Sequence, residues 1–307
     1  MRVGLDVGGT KTDAVVVDDA ARVLARTRLA TGWGVDAVGA TIVRAVDLVA
    51  AEAGVGRDEI RSVGIGMPGQ VAPGSTRVVH AVNLGVHDLD VASTVEPMLG
   101  LPVRVENDVK AAALGAHALH GAGTGTMAYL NLGTGVAAGI VVDGQLWRGA
   151  GGSAGEVGHI SVDPAGPPCR CGQRGCIEAL AGGGAVAERW GRPGALPVRD
   201  VFDAADAGDP RAVALRADLA RGVASAIRVL VLTADVDTVV IGGGLSALGE
   251  RVTGPVVDEL DAGAAASAFI RSLHLRDRAT LLPPASPAAA LGAALVGRAS
   301  EEVLAHG

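Results

Sequence analysis

Val3-Gly-Leu-Asp-Val-Gly-Gly-Thr-Lys-Thr-Asp-Ala-Val-Val-Val17 and Met127-Ala-Tyr-Leu-Asn-Leu-Gly-Thr-Gly-Val-Ala-Ala-Gly-Ile-Val-Val142 decide how this chain folds. Each begins with an apolar run, breaks at a glycine turn and resumes as a second run rich in β-branched residues. Such a pattern reads as a strand, a tight turn and an antiparallel strand. The two turns, Asp6-Val-Gly-Gly-Thr10 and Asn131-Leu-Gly-Thr-Gly135, look like counterparts. Two α/β units of related topology are the expectation.

Outward from these hairpins the alternation continues. Val23–Leu29 extends the first meander, Val38–Ala53 has helical periodicity, and Ser62–Gly66 and Leu101–Val105 read as strands. Glu106-Asn107-Asp108 then opens a helix to about Leu119, with Asn107 or Asp108 as its cap. After the second hairpin, closed by Asp143-Gly144, residues 149–184 are loop-rich. Helices are expected over 185–190, 198–207, 210–233, 246–263 and 288–304, with strands at 237–241 and 279–282. The expected division is a smaller domain over 1–118, a larger one over 119–287, and a C-terminal helix, 288–307, packing back on the first.

A chain of 307 residues with 49% hydrophobic content is long for one core, which agrees with two domains. The net charge of −7 and the absence of a basic run argue against a nucleic-acid surface. No apolar stretch reads as a membrane span, and no targeting segment is evident, so a cytoplasmic location is expected. Among 26 basic residues only Lys11 and Lys110 are lysines, the rest being arginine.

All three cysteines, Cys169, Cys171 and Cys176, fall within eight residues, and His159 lies ten residues upstream of the first. Three thiols and an imidazole make the ligand count of a closed tetrahedral zinc site. An odd cysteine count without a secretory leader argues against a disulfide framework.

Glycine turns expose backbone N–H groups that can cradle phosphate oxygens. Three are candidates: Gly8-Gly9-Thr10-Lys11, where the lysine adds a cation; Gly133-Thr134-Gly135; and Gly242-Gly243-Gly244, which joins a strand to a helix. Gly64-Ile-Gly-Met-Pro-Gly69 matches a dinucleotide fingerprint, but Pro68 denies it the following helix. The similar Gly242 run lacks a clear βαβ continuation, and no Walker A motif occurs. Asp108, at a strand end, suits a general base. Asp6, beside the first turn, suits a magnesium ion held through water. Glu156, His159 and Glu178 offer fixed partners for a polyhydroxylated ligand.

Asp6-Val-Gly-Gly-Thr-Lys11, Gly64-Ile-Gly-Met-Pro-Gly69, Glu106-Asn-Asp108, Leu132-Gly-Thr-Gly135, Gly155-Glu-Val-Gly-His159 and Cys169-x-Cys171-Gly-x-x-Gly-Cys176-x-Glu178 occur in this order. In this the chain resembles the ROK family of repressors and sugar kinases over nearly its whole length. The resemblance implies the two-domain, actin-like and ribonuclease-H-like fold of hexokinases, and ATP-dependent phosphorylation of a hexose at its 6-hydroxyl. It implies Asp108 as the base, and Asn83, Asn107, Glu156, His159 and Glu178 as sugar ligands. Gly8–Lys11 and Gly133–Gly135 would hold the ATP phosphates, Gly242–Gly244 would lie against the adenosine, and His159, Cys169, Cys171 and Cys176 would bind a structural zinc ion. Glucose is the first expected substrate; N-acetylglucosamine, N-acetylmannosamine, fructose and allose are alternatives, as is polyphosphate for ATP. A homodimer or homotetramer is expected. A reading of another class is a sugar-sensing regulator without a DNA-binding domain; the first strand opens where such regulators carry a helix-turn-helix, and Asp108 favours catalysis. Two departures stand out: Val86-His87 replaces an aromatic residue common in relatives, and Lys110 falls where relatives often have Asn. Trp33 and Trp147 are the nearest aromatic candidates for the cleft.

Overall fold

A computed structural model of the protein describes residues 1–120, 123 and 125–298. The described residues of Met1–Thr124, Gly139–Ala154 and Ser286–Gly307 form one compact unit, and Gly125–Ala138 with Gly155–Ala285 forms another. Residues 139–154, expected in the larger domain, therefore group with the first unit. The reason is local: Arg148 and Gly152 are bonded to Glu106 and Lys110 of that unit. The segment expected to join the halves falls partly outside the described residues, as does the end of the last helix, 299–304.

In chain order the first part comprises β1 (Arg2–Val7), β2 (Lys11–Val17), β3 (Val23–Ala30), α1 (Val35–Ala53), β4 (Ser62–Met67), β5 (Gln70–Val71), β6 (Arg77–Ala81), β7 (Val86–Asp90), α2 (Val91–Leu99), β8 (Val103–Asn107) and α3 (Asp108–His120). Next come β9 (Thr126–Leu132), β10 (Val136–Val142), β11 (Gln145–Trp147), α4 (Ile177–Ala181), α5 (Gly183–Trp190), α6 (Pro197–Asp206) and α7 (Pro210–Ala234). The chain continues with β12 (Thr238–Gly242), α8 (Glu250–Ala266), α9 (Ala268–Ser272), α10 (Leu275–Arg278), β13 (Ala279–Leu281) and α11 (Ala288–Val296). The helix expected at 246–263 is a 3-10 turn, Gly244–Leu248, followed by α8, because Gly249 breaks the run with a positive φ.

The repeat read from the sequence is present in the sheets. One runs β3-β2-β1-β4-β8 and the other β11-β10-β9-β12-β13. Ranked by their place in the chain, both have the order 3-2-1-4-5. β1 pairs antiparallel with β2 and parallel with β4; β9 pairs parallel with β12, which pairs parallel with β13. The C-terminal ends of parallel neighbours thus lie at one sheet edge, where open α/β sheets bind ligands. A separate three-stranded sheet, β5-β6-β7, was not foreseen.

β4 lies between β1 and β8 and is fully buried, hence its apolar and glycine run after Ser62. α1 buries Val38, Ile42, Ala45, Val46 and Val49, at helical spacing, and ends where Gly54 takes the left-handed conformation. α11 is almost wholly alanine, leucine and glycine and crosses α3 very closely. A Cβ at Gly115 would overlap the Ala288 carbonyl, and one at Gly292 would overlap that of Ala111. Only glycine permits this approach, and overpacking a tight contact costs about 1–3 kcal/mol. Gly292→Ala is expected to cost about 3 kcal/mol, read as a lower urea midpoint; an unchanged midpoint would rule out the close crossing.

Candidate active site

Asp108 is the first residue of α3, directly after β8. Capping falls to its neighbour: Asn107 Oδ1 accepts from the Val109 and Lys110 amides at 3.1 and 3.2 Å. Asn107 Nδ2 donates to Asp108 Oδ1 at 3.0 Å and to the Gly69 carbonyl at 3.1 Å. The Val109 amide also reaches Asp108 Oδ1, at 2.9 Å. One oxygen of the half-buried carboxylate is thereby fixed, and the capping duty that would explain an aspartate here is already met.

The first glycine turn lies at the same sheet edge. It closes through Gly8 N to Lys11 O at 3.0 Å, and Gly9 backs onto the carbonyl of Asn83. Asn83 is exposed in a 3-10 turn, Val82–Leu84, and Thr10 and Lys11 are exposed as well. Asp6, next to last in β1, is in register with Asp13 and Gly66. Arg26 and Arg28 neutralise Asp13 at 3.0 and 2.6 Å. Burial, then the charges of Asp108 and Asp13, push the Asp6 carboxyl up to about 7, with Lys11 and Arg28 opposing. This coupling brings Asp6, Asp108 and the turn into one electrostatic neighbourhood, so the first unit gathers Asp6, Gly8–Lys11, Asn83, Asn107 and Asp108.

A raised carboxyl favours the folded state only while it is neutral. That stabilisation is complete below the unfolded value of 3.8 and is lost as pH rises to about 7. Asp6→Asn, neutral throughout, is expected to gain on the wild type between pH 4.5 and 8, reaching about 2–4 kcal/mol in the nucleotide-free protein. Parallel stability–pH curves would refute the shift.

The second unit gathers the other candidates. Gly133 N bonds Gly135 O at 3.1 Å. Gly183 N and Gly184 N donate to the Gly133 and Thr134 carbonyls, both at 2.9 Å, tying the turn to the start of α5. Gly243 backs onto Leu132 and Asn131, while Gly244 faces open space. Glu178 Oε2 accepts from the Val136 amide at 3.0 Å, so one carboxylate oxygen of this expected sugar ligand braces the glycine turn. Glu156 and His159 are exposed on the turn Gly155–His159. A Cβ at Gly155 or Gly158 would overlap the Ala138 or Val136 carbonyl of β10, and with the backbone held that close Val157 is buried while Glu156 and His159 are exposed. The motif Gly155-Glu-Val-Gly-His159 thus owes both glycines to backbone contact with a strand.

Nitrogen and sulfur donors of His159, Cys169 and Cys171 lie within 4.8 Å of one another. Cys171 Sγ is 3.7 Å from Cys176 Sγ, and none of the three cysteines is in a disulfide. Two thiolates on a tetrahedral zinc with bonds of about 2.3 Å stand roughly 3.8 Å apart, so the spacing fits a ligand edge. The loop is pre-shaped by Cys169 N to Gln173 O at 2.8 Å and by Gln173 Nε2 to His159 O at 3.0 Å. The Gln173 amide holds the Cys171 thiol down to about 6, whereas burial pushes Cys176 up to about 12.

Val86, noted as a departure from the family pattern, is a core residue at the start of β7. Trp33 instead lies against Gly85 and is largely exposed; Trp147 is exposed at the end of β11. Two features have no role in the sequence reading, Gly182–Gly184 and Arg148, and Glu106 appears there only within the Glu106-Asn-Asp108 motif. The glycine triplet opening a helix was the available signal for the first.

Two sheets of one repeated order, with glycine turns at their edges and a carboxylate opening a helix, define the actin-like fold of sugar kinases. Within that class the chain belongs to the ROK family, which it matches over residues 2–294. It is 33% identical over 281 residues to a glucokinase of Halalkalibacterium halodurans, covering 85% of each chain. It is 35% identical over 247 residues to an N-acetylmannosamine kinase of Citrobacter koseri, covering 79% of this chain and 83% of the relative. The crystal structure of a ROK family glucokinase from Streptomyces griseus, in complex with glucose and AMPPNP, is similar at a TM-score of 0.77 and 32% identity, covering 97% of this chain and 99% of that one.

Proposed function

We propose that this chain transfers the γ-phosphoryl group of ATP to the 6-hydroxyl of a hexose, with glucose as the preferred acceptor. The observation that carries the proposal is Asp108: a half-buried carboxylate, oriented by Asn107 and relieved of capping. Phosphoryl transfer asks little covalent chemistry of a protein and much positioning. Asp108 accepts the hydroxyl proton as the oxygen attacks. Asn83, Asn107, Glu156, His159 and the second oxygen of Glu178 orient the sugar. Amides of Gly8–Lys11 and Gly133–Gly135 receive the phosphates, and Gly242–Gly244 receives the adenosine. Magnesium on the nucleotide would neutralise charge on the transferred group, with Asp6 meeting its water shell. Zinc on His159, Cys169, Cys171 and Cys176 would be structural, since four protein ligands leave no open position.

The glucokinase and the N-acetylmannosamine kinase similarities support a hexose acceptor and leave two sugars to compare. A coupled ADP-release assay over glucose, N-acetylglucosamine, N-acetylmannosamine, fructose and allose, with ATP or polyphosphate, tests this. Glucose with ATP is expected to give the highest kcat/KM. Turnover of none of them would transfer the reading to a sugar-sensing regulator. A homodimer or homotetramer in the cytoplasm belongs to the same proposal. No helix among the described residues is long and apolar enough to cross a membrane.

A further inference from the structure

Gly149-Ala-Gly-Gly-Ser-Ala-Gly155 carries four glycines in seven residues and runs directly into Glu156. Ordering such a segment is entropically costly, because glycine has the most backbone freedom to lose. In the first unit it is nevertheless held at both ends of its first turn. Arg148 Nε donates to Glu106 Oε2 at 2.7 Å, and Lys110 Nζ donates to the Gly152 carbonyl at 2.6 Å. Behind Gly152 lie Val71 O and Pro73, so the loop is pressed between β5 and α3. Glu106 and Lys110 flank the Asn107-Asp108 pair, and they are only 4% and 5% exposed.

The choice of lysine is informative. The chain uses arginine at 24 of 26 basic positions, so its composition favours arginine wherever either would serve. A buried donor that reaches a backbone carbonyl is where the two differ. The ammonium is a compact donor on a flexible stem, while the guanidinium is a wide planar fork made for carboxylates. Arg148 has such a carboxylate, Glu106; Lys110 has a carbonyl.

Resting on the kinase reading, we propose that Lys110 is a positioning residue that anchors the glycine loop 149–154 to the base-bearing helix, and so sets sugar affinity through the Glu156 turn into which the loop runs. Lys110 touches no reacting atom in this account. Its contribution is to the ordering of the loop before the sugar arrives, which reduces the entropy lost on binding.

The test uses Lys110→Met, which keeps the bulk and removes the donor, and Lys110→Gln, which keeps a neutral donor. Glucose KM is expected to rise at least tenfold in the Met variant, with ATP KM within twofold of wild type. Amide hydrogen exchange over 149–154 is expected to quicken at least tenfold, and Gln is expected to restore most of both. The proposal is overturned if loop exchange in Lys110→Met matches wild type, or if Met and Gln lose glucose affinity, ATP affinity and melting temperature together. Wild-type protein that turns over no hexose would defeat the kinase reading. In that case the exchange comparison still decides the anchor.

Discussion

Asp108→Ala is expected to lower kcat by a factor of about 10²–10⁴, the range for loss of a positioned general base. Glucose binding, measured by calorimetry, should stay within a few-fold of wild type. The cap of α3 is supplied by Asn107 through two amides, so the helix keeps its N-terminus when the carboxylate is removed. The melting temperature should therefore move little. Asp108→Asn sharpens the test, since it preserves an oxygen for the Val109 amide and the Asn107 side chain. Both variants should be equally inactive. A kcat near that of wild type in either would remove Asp108 from the chemistry.

The second large effect concerns the cysteine loop. Cys171→Ser should abolish zinc binding, which elemental analysis of the purified protein would read directly. Metal binding at such sites is folding free energy, on the order of 10 kcal/mol in small zinc domains. Even a fraction of that is large against the usual marginal stability of a fold. The expected result is a destabilisation of about 5 kcal/mol and a glucose KM raised roughly tenfold or more. The proposed link to the sugar would run through His159, which offers a donor nitrogen to the cluster and closes the turn begun by Glu156. The link at the other end is Glu178, two residues after Cys176. A zinc-free variant with full activity and an unchanged melting temperature would contradict this role.

Much of this arrangement was legible before any coordinates. The strand–turn–strand pairs at 3–17 and 127–142 became β1–β2 and β9–β10 because alternation and glycine punctuation are local signals. The helices expected over 38–53 and 210–233 are α1 and α7, because apolar spacing is a local signal; the Asp209 cap of α7 was not read. The β5–β7 sheet was hidden because its strands are short and Pro73-Gly74 reads as loop. α2 was hidden by Pro97 near its end. The grouping of 139–154 with the first unit was beyond reach, since it depends on Glu106–Arg148 and Lys110–Gly152, pairs 42 residues apart. At the site, residue types were readable and duties were not. Asn107 and Asp108 were both plausible caps, and only hydrogen-bond directions separated them. Glu178 was readable as an acceptor, but its bond to the Val136 amide was not.

A carboxylate at 108 is proposed to activate the 6-hydroxyl of a hexose for attack on ATP. The most direct measurement compares ADP release with glucose and with 6-deoxyglucose, which lacks only that hydroxyl. Glucose should be turned over to the 6-phosphate, identified by phosphorus NMR, while 6-deoxyglucose should bind competitively and release ADP no faster than sugar-free enzyme. Phosphorylation of 6-deoxyglucose at a rate comparable to glucose would contradict the account.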